Sequence, residues 1–301
     1  VEKNLVMTAQ IQALLQALLQ AKQYPQALAL CQNALASSDE APTNPPSHPF
    51  DSPDKLNLYY YEALIFHLSG QYTQAIVAYE RFLNKVPSHG KSRYHLGLCY
   101  QEIGDHTRAL DRLAPLLQSG TLPQEISKAS LHINLGASLL ALGQIMQALQ
   151  HDAYAIQLTP HDPIALAAYG FVLVLQGKFQ AALTAYEQAL QHEPGHAVAT
   201  LNQALTFLLL GRWEEGWPGY EARWRTGHLP AQQVPAPHLH GIDTEPTSHL
   251  VSSLSGRTIL IYAEQGIGDT WQFCRYLPLL QQTGAQVIVR VQAEAVPLLQ
   301  A

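Results

Sequence analysis

PIALAAYGFVLVLQGKFQAALTAYEQALQHEPGH, residues 163–196, decides the fold of this chain. Its apolar residues recur every three to four positions on either side of Gly177, which reads as two amphipathic helices joined by a tight turn. Gly177 permits the turn, Ala182 is small where the helices cross, and Pro194 stops the second helix. The same marks recur along the chain. Gly70 and Gly104 stand 34 residues apart, as do Gly143 and Gly177, and Gly177 and Gly211. Ala75, Ala109, Ala148 and Ala182 follow these glycines by five residues, and Pro87, Pro160 and Pro194 by seventeen. A fixed 34-residue spacing predicts a helix–turn–helix unit repeated into a mainly α solenoid. Six copies are read, at about 8–37, 56–89, 90–123, 129–162, 163–196 and 197–228, which makes 1–228 one solenoid domain. The first is degenerate, with Lys22 where glycine is expected.

Tyr169-Gly170, Gly177, Ala182, Tyr186, Ala189 and Pro194 resemble the tetratricopeptide consensus, and the resemblance covers about three quarters of the chain. Proteins of that family bind partner segments in the concave groove lined by the first helix of each repeat, and the resemblance implies such a scaffold here.

Residues 38–55 hold five prolines and are expected to loop out of the array, and a short excess near Ser119–Glu125 lengthens the third repeat. Residues 229–256, rich in Pro, His, Ser and Thr, read as a linker. Beyond it the period changes. RTILIYA (257–263) reads as a strand, EQGIGD (264–269) as a glycine turn, Thr270–Gln282 as a helix and AQVIVRV (285–291) as a second strand, with another helix opening at AEAVPLLQA (293–301). This β-α-β-α order predicts the start of a parallel, Rossmann-like α/β sheet over 257–301. Two parallel strands do not make a stable sheet alone, so the segment is expected to belong to a longer protein or to pack on the repeats.

Charge narrows the partners. Lys and Arg number 17 against 23 Asp and Glu, a net charge of −6, and no basic cluster occurs, which argues against nucleic acid. No apolar run is long enough to span a bilayer. Cys31, Cys99 and Cys274 are widely separated, suggesting neither disulfides nor a zinc knuckle, and a cytoplasmic protein is expected. His192-Glu-Pro-Gly-His196 matches a zinc pattern as a string, but Pro194 and Gly195 break the helix that pattern requires. His238 and His240 have no third ligand nearby. No metal and no cofactor are expected.

Gly266 and Gly268 follow a strand and open a helix, yet the dinucleotide fingerprint fails at Trp271 and no Gly-Lys-Ser/Thr follows. Asp269 then reads either as a residue complementing the helix N-terminus or as a general base. GRWEEGWPGYEARW (211–224), LSGRTILIYAEQGIGDTWQFCRYLPLL (254–280) and GAQVIVRV (284–291) look like a group of bacterial tetratricopeptide proteins whose repeats lead into a heptosyltransferase-like glycosyltransferase domain. Gln265, Gly266, Gly268, Asp269 and Gln272 match that group's pattern, and the resemblance implies Asp269 as catalytic base. The half that holds the nucleotide-sugar donor in that fold would lie beyond Ala301, so no turnover is expected of this chain alone. The order of parts is also similar to the O-linked N-acetylglucosamine transferases. Their groove asparagine at the sixth position of each repeat is matched here only by Asn134 and Asn202 among Tyr61, His95, Asn134, Ala168 and Asn202.

Consensus register sends the second, fifth, ninth, twelfth and thirteenth residues of each repeat toward the groove. Early repeats place Tyr60, Tyr94, Leu98 and Lys91 there, the middle one Ile133, and late repeats Phe171, Val174, Leu201 and Leu205. The groove thus changes from polar and aromatic to apolar. Its expected occupant is either a partner's protein segment or the chain's own residues 229–301, and self-association is left open.

Overall fold

The computed structural model describes residues 2–39, 53–118, 122–227, 254–264 and 266–299. Most of the 38–55 insertion and the 229–256 linker lie outside these residues, with part of the Ser119–Glu125 excess, His238, His240 and Gln265. Val1–Arg223 and Trp224–Ala301 are two compact units.

The first unit is a series of helix pairs. They are α1 (Glu2–Gln20) with α2 (Tyr24–Asp39), α3 (Pro53–Leu68) with α4 (Tyr72–Lys85), and α5 (Gly90–Glu102) with α6 (His106–Gln118). Next come α7 (Lys128–Ala141) with α8 (Ile145–Leu158), α9 (Pro163–Leu175) with α10 (Phe179–His192), and α11 (Ala197–Leu209) with α12 (Trp213–Tyr220). A 3₁₀ turn, Glu221–Arg225, follows. Each helix packs on its neighbours in sequence, and first helices also touch one another, α7 with α9 and α9 with α11.

The turn inside each pair needs a left-handed residue. Gly70, Gly104, Gly143, Gly177 and Gly211 take φ between +72° and +79° there. Lys22 fills the same place in the first pair with φ +56°, against its steric preference. Lys22→Gly should therefore raise the free energy of unfolding by about 1 kcal/mol, measured by urea melts.

The crossing alanines Ala75, Ala109, Ala148 and Ala182 are fully buried. The same logic fixes a second contact, between the eighth residue of each repeat and the residue sixteen further on. Ala63 faces Tyr79, Gly97 faces Leu113 and Gly170 faces Tyr186, a small residue opposite a large one. At Gly97 and Gly170 an added Cβ would lie 2.6 and 2.5 Å from the facing side chain. In the fourth repeat Gly136 faces Asp152, a buried carboxylate whose Oδ1 has no hydrogen-bond partner among the described residues.

Helix starts use local acceptors. His89 Nδ1, Ser127 Oγ, Asp162 Oδ1 and His196 Nδ1 accept from backbone N–H groups of α5, α7, α9 and α11. His196 is thus a helix cap, and His192 turns instead toward His161, 3.1 Å away. Among the described residues no three His, Cys, Asp or Glu side chains converge as a metal site.

In the second unit β1 (Thr258–Tyr262) pairs in parallel with β2 (Gln286–Arg290), Thr258 opposite Gln286 and Tyr262 opposite Arg290. The helix expected over Thr270–Gln282 is two helices, α13 (Ile267–Cys274) and α14 (Leu277–Gln282). Pro278 causes the break, because it lacks the N–H that would bond back to Cys274. A 3₁₀ turn (Ala293–Ala295) and a short helix (Val296–Leu299) follow.

Candidate binding groove

The first helices α3, α5, α7, α9 and α11 present the residues that consensus register sends toward the groove. Within each repeat these divide into two kinds. In the second to fifth repeats the fifth-position residues point along the seam to the next repeat, Tyr94 and Ala167 buried and Tyr60 and Ile133 half-buried, while Leu201 in the last repeat is half-buried. Tyr94, expected on the open wall, instead joins the core with Leu113, Leu116 and Leu131. Its hydroxyl accepts from Asn134 Nδ2 at 2.8 Å. Asn134 also donates to the Ser130 carbonyl at 2.9 Å, so both amide hydrogens are used inside the array. Leu98 packs beside the same core, Val174 is half-buried against Leu173 and Tyr186, and Asn202 is half-buried on α11. Gln101 ties the third repeat to the fourth, donating Nε2 to the Asn134 carbonyl and to Ser138 Oγ, both at 2.7 Å.

In the last two repeats the second, ninth and thirteenth positions stay open and are apolar. Ile164, Phe171 and Leu175 on α9, with Val198, Leu205 and Leu209 on α11, are 40–63% exposed. Neither helix contains a charged residue. The early end differs. Gln16, Leu19, Tyr60, Tyr61, Leu64 and Lys91 line a hollow of about 380 Å³. Gln16 donates to the Tyr61 hydroxyl at 3.0 Å. Burial pushes the Tyr60 phenol up to about 12. His67 and His95 sit edge to face, 5.3 Å apart, and His95 lies over the Tyr79 ring. Burial, with His67 and Lys91 nearby, brings His95 down to about 4, so this pair is neutral at pH 7.

The cysteines have no reactive setting in this unit. Cys31 is buried, donates to the Leu58 carbonyl and is pushed up to about 12 by burial, while Cys99 is equally buried and raised to about 12.

Asp269 is exposed in the first turn of α13, where its charge complements the helix N-terminus. Gly266, the N-cap, has φ −64° and ψ 152°, which any residue can adopt, and a Cβ on Gly268 would meet open space. Neither glycine is demanded by the backbone conformation of this turn.

Comparison with known proteins agrees with the helical geometry. The tetratricopeptide-repeat family model matches residues 68–120 and 170–226. Protein FlbA of Caulobacter vibrioides is 26% identical over 245 residues, 70% of this chain and 39% of that protein, so the match spans about two fifths of the relative's length. The type IV pilus biogenesis factor PilW superposes with a TM-score of 0.58 at 16% identity, over 73% of this chain and 93% of its own. A tetratricopeptide repeat protein from Parabacteroides merdae gives 0.57 at 16% identity, over 73% and 79%. At such identities the likeness is one of fold. Tetratricopeptide repeats are matched over residues 68–120 and 170–226, and the helical unit has the fold of a solenoid of that type.

Proposed function

We propose that this protein is an interaction scaffold that seats the apolar face of a partner's helix along the first helices of its fifth and sixth repeats. One observation carries the reading: six large apolar side chains on two adjacent, uncharged helices stay open to solvent. Half-exposed as they are, each forgoes about 1 kcal/mol, which a docked apolar segment would recover in part. The early groove, with Lys91, Glu102 and His67, would meet the polar end of that segment. Among the described residues no helix is long and apolar enough to cross a membrane. A cytoplasmic setting is part of the same reading and is supported by the three separated, free cysteines.

A panel of amphipathic helical peptides, screened by fluorescence anisotropy, tests the proposal. Phe171→Glu should weaken the best binder about tenfold or more, since it puts a charge into an apolar contact. Absence of any binder, or a binder indifferent to Phe171→Glu and to Leu205→Glu, would overturn it. If residues 229–301 are instead the occupant, the intact chain should bind no hydrophobic dye.

Sugar transfer by a longer protein is the second reading. It is favoured by the parallel β1–β2 pair and by Asp269 at the start of the helix after β1. Its test is turnover of a nucleotide-sugar panel that Asp269→Asn abolishes.

A further inference from the structure

The fourth repeat departs from its neighbours at one point in its core. Where α3, α5 and α9 set a small residue against Tyr79, Leu113 or Tyr186, α7 sets Gly136 directly against Asp152 of α8. Asp152 is 2% exposed, and its Oδ1 has no hydrogen-bond partner among the described residues. An unpaired polar atom in a dry site costs free energy that an apolar side chain of similar size would not.

No neighbouring charge compensates. The helices packed on α8 are α7 and α9. α9 has no charged residue, and its Tyr169 packs against the cluster of Leu173 and Tyr186. α7 carries Lys128 and His132. His132 meets His151 of α8 at 3.0 Å between ring nitrogens and Tyr154 at 5.5 Å between rings, and Lys128 acts on His132. Burial is the one cause that raises the Asp152 carboxyl, to about 7. The helices on either side of the crossing are tied away from it. α7 is held to α5, where Gln101 Nε2 donates to the Asn134 carbonyl and Ser138 Oγ, and Asn134 Nδ2 donates to the Tyr94 hydroxyl. α8 is held to α9, with Ala148 in one cluster with Val172 and Leu149 packed on Leu173. α7 thus goes with the early repeats and α8 with the late ones.

We infer that the fourth repeat is a proton-controlled joint: while Asp152 keeps its proton α7 and α8 stay closed, and its ionisation lets the array part between them. A carboxylate in this site has no cation to pair with, so it reaches a polar partner only by opening the crossing to water. The contact of α7 with α9 is left as the pivot. The joint lies between the polar and the apolar halves of the groove, so it sets whether they present one continuous surface. That consequence alone rests on the groove reading.

Amide hydrogen exchange of the intact chain tests this, with Asp152→Asn as a reference that is neutral at every pH. An opened carboxyl returns to its ordinary 3.8, so the open population rises with pH as far as about 7 and is flat above. His132 and His151 act in the opposite sense when opened, but equally in both proteins, so the ratio of parent to variant removes them. For amides of α7 and α8 that ratio should rise about tenfold from pH 6 to pH 8, while for amides of α4 it should stay within about twofold. Asp152→Leu, which fills the site as Leu113 does in the third repeat, is a second reference and should give the same rise. A flat ratio on α7 and α8 overturns the inference. An equal rise in every helix also overturns it, because the carboxyl would then be released by global unfolding and not at a joint.

Discussion

Asp152→Leu should stabilise the protein at pH 8 by about 3 kcal/mol, a large effect for one substitution and opposite in sign to most core changes. Asp152 stands where the third repeat has Leu113, and its buried Oδ1 has no partner among the described residues. Burial alone raises its carboxyl from 3.8 to about 7. The folded chain therefore holds this proton where the unfolded chain has released it. The stability that the neutral acid allows is complete below pH 3.8, falls as pH rises through about 7, and is flat above. At about 1.4 kcal/mol per pH unit, that loss amounts to several kcal/mol across the window. Asp152→Asn should abolish the slope with a smaller gain, because its amide is also buried without a partner. The histidines beside this site act in the other direction. His132 and His151 share a 3.0 Å contact between ring nitrogens, and burial lowers both, His132 to about 4. Their contribution is lost as pH falls from 6.5 toward 4. Urea melts of the parent and both variants from pH 4 to 8 separate the two slopes, and parallel curves would show that Asp152 is not buried as described.

Gly170→Val should cost about 3 kcal/mol and lower the cooperativity of unfolding. A Cβ at Gly170 would lie 2.5 Å from Tyr186 Cε1 and 2.9 Å from Cδ1 and Cζ, and that ring is fully buried. A rigid aromatic ring cannot yield cheaply, so the helices must separate. Repeats communicate only with their neighbours, so the loss should fall first on the fourth to sixth. Gly195→Ala is the control, with open space around its Cα and φ outside the left-handed region, and it should change stability by less than about 0.5 kcal/mol. Thermal melts of the two variants check the pair, and equal effects would mean that the Gly170–Tyr186 contact is not made.

The array was legible because its punctuation is obligatory. A left-handed turn selects glycine and a close crossing selects alanine, so both leave a mark at fixed spacing. What escaped was direction within the register. Tyr94 and Ala167 share the fifth position with Tyr60, and sequence assigns all three to the groove. The structure turns that position along the seam, where the next repeat closes over Tyr94 but leaves Tyr60 half-open beside Lys91. Asp152 escaped for a related reason, since only the pairing of Gly136 with that site shows that an ordinary surface residue type has been drawn into the core. In the second unit the strands were readable from their β-branched runs. The break between α13 and α14 was signalled by Pro278 and overridden by the apolar pattern around it.

The most direct test of the groove reading places a photoreactive side chain at position 171 or, as control, at position 77, on α4. Val77 is 64% exposed and therefore equally able to react. Irradiation with the best-binding amphipathic peptide, followed by mass spectrometry, should give a covalent adduct from position 171 and none from position 77. An adduct from position 77 with none from position 171 would contradict the account.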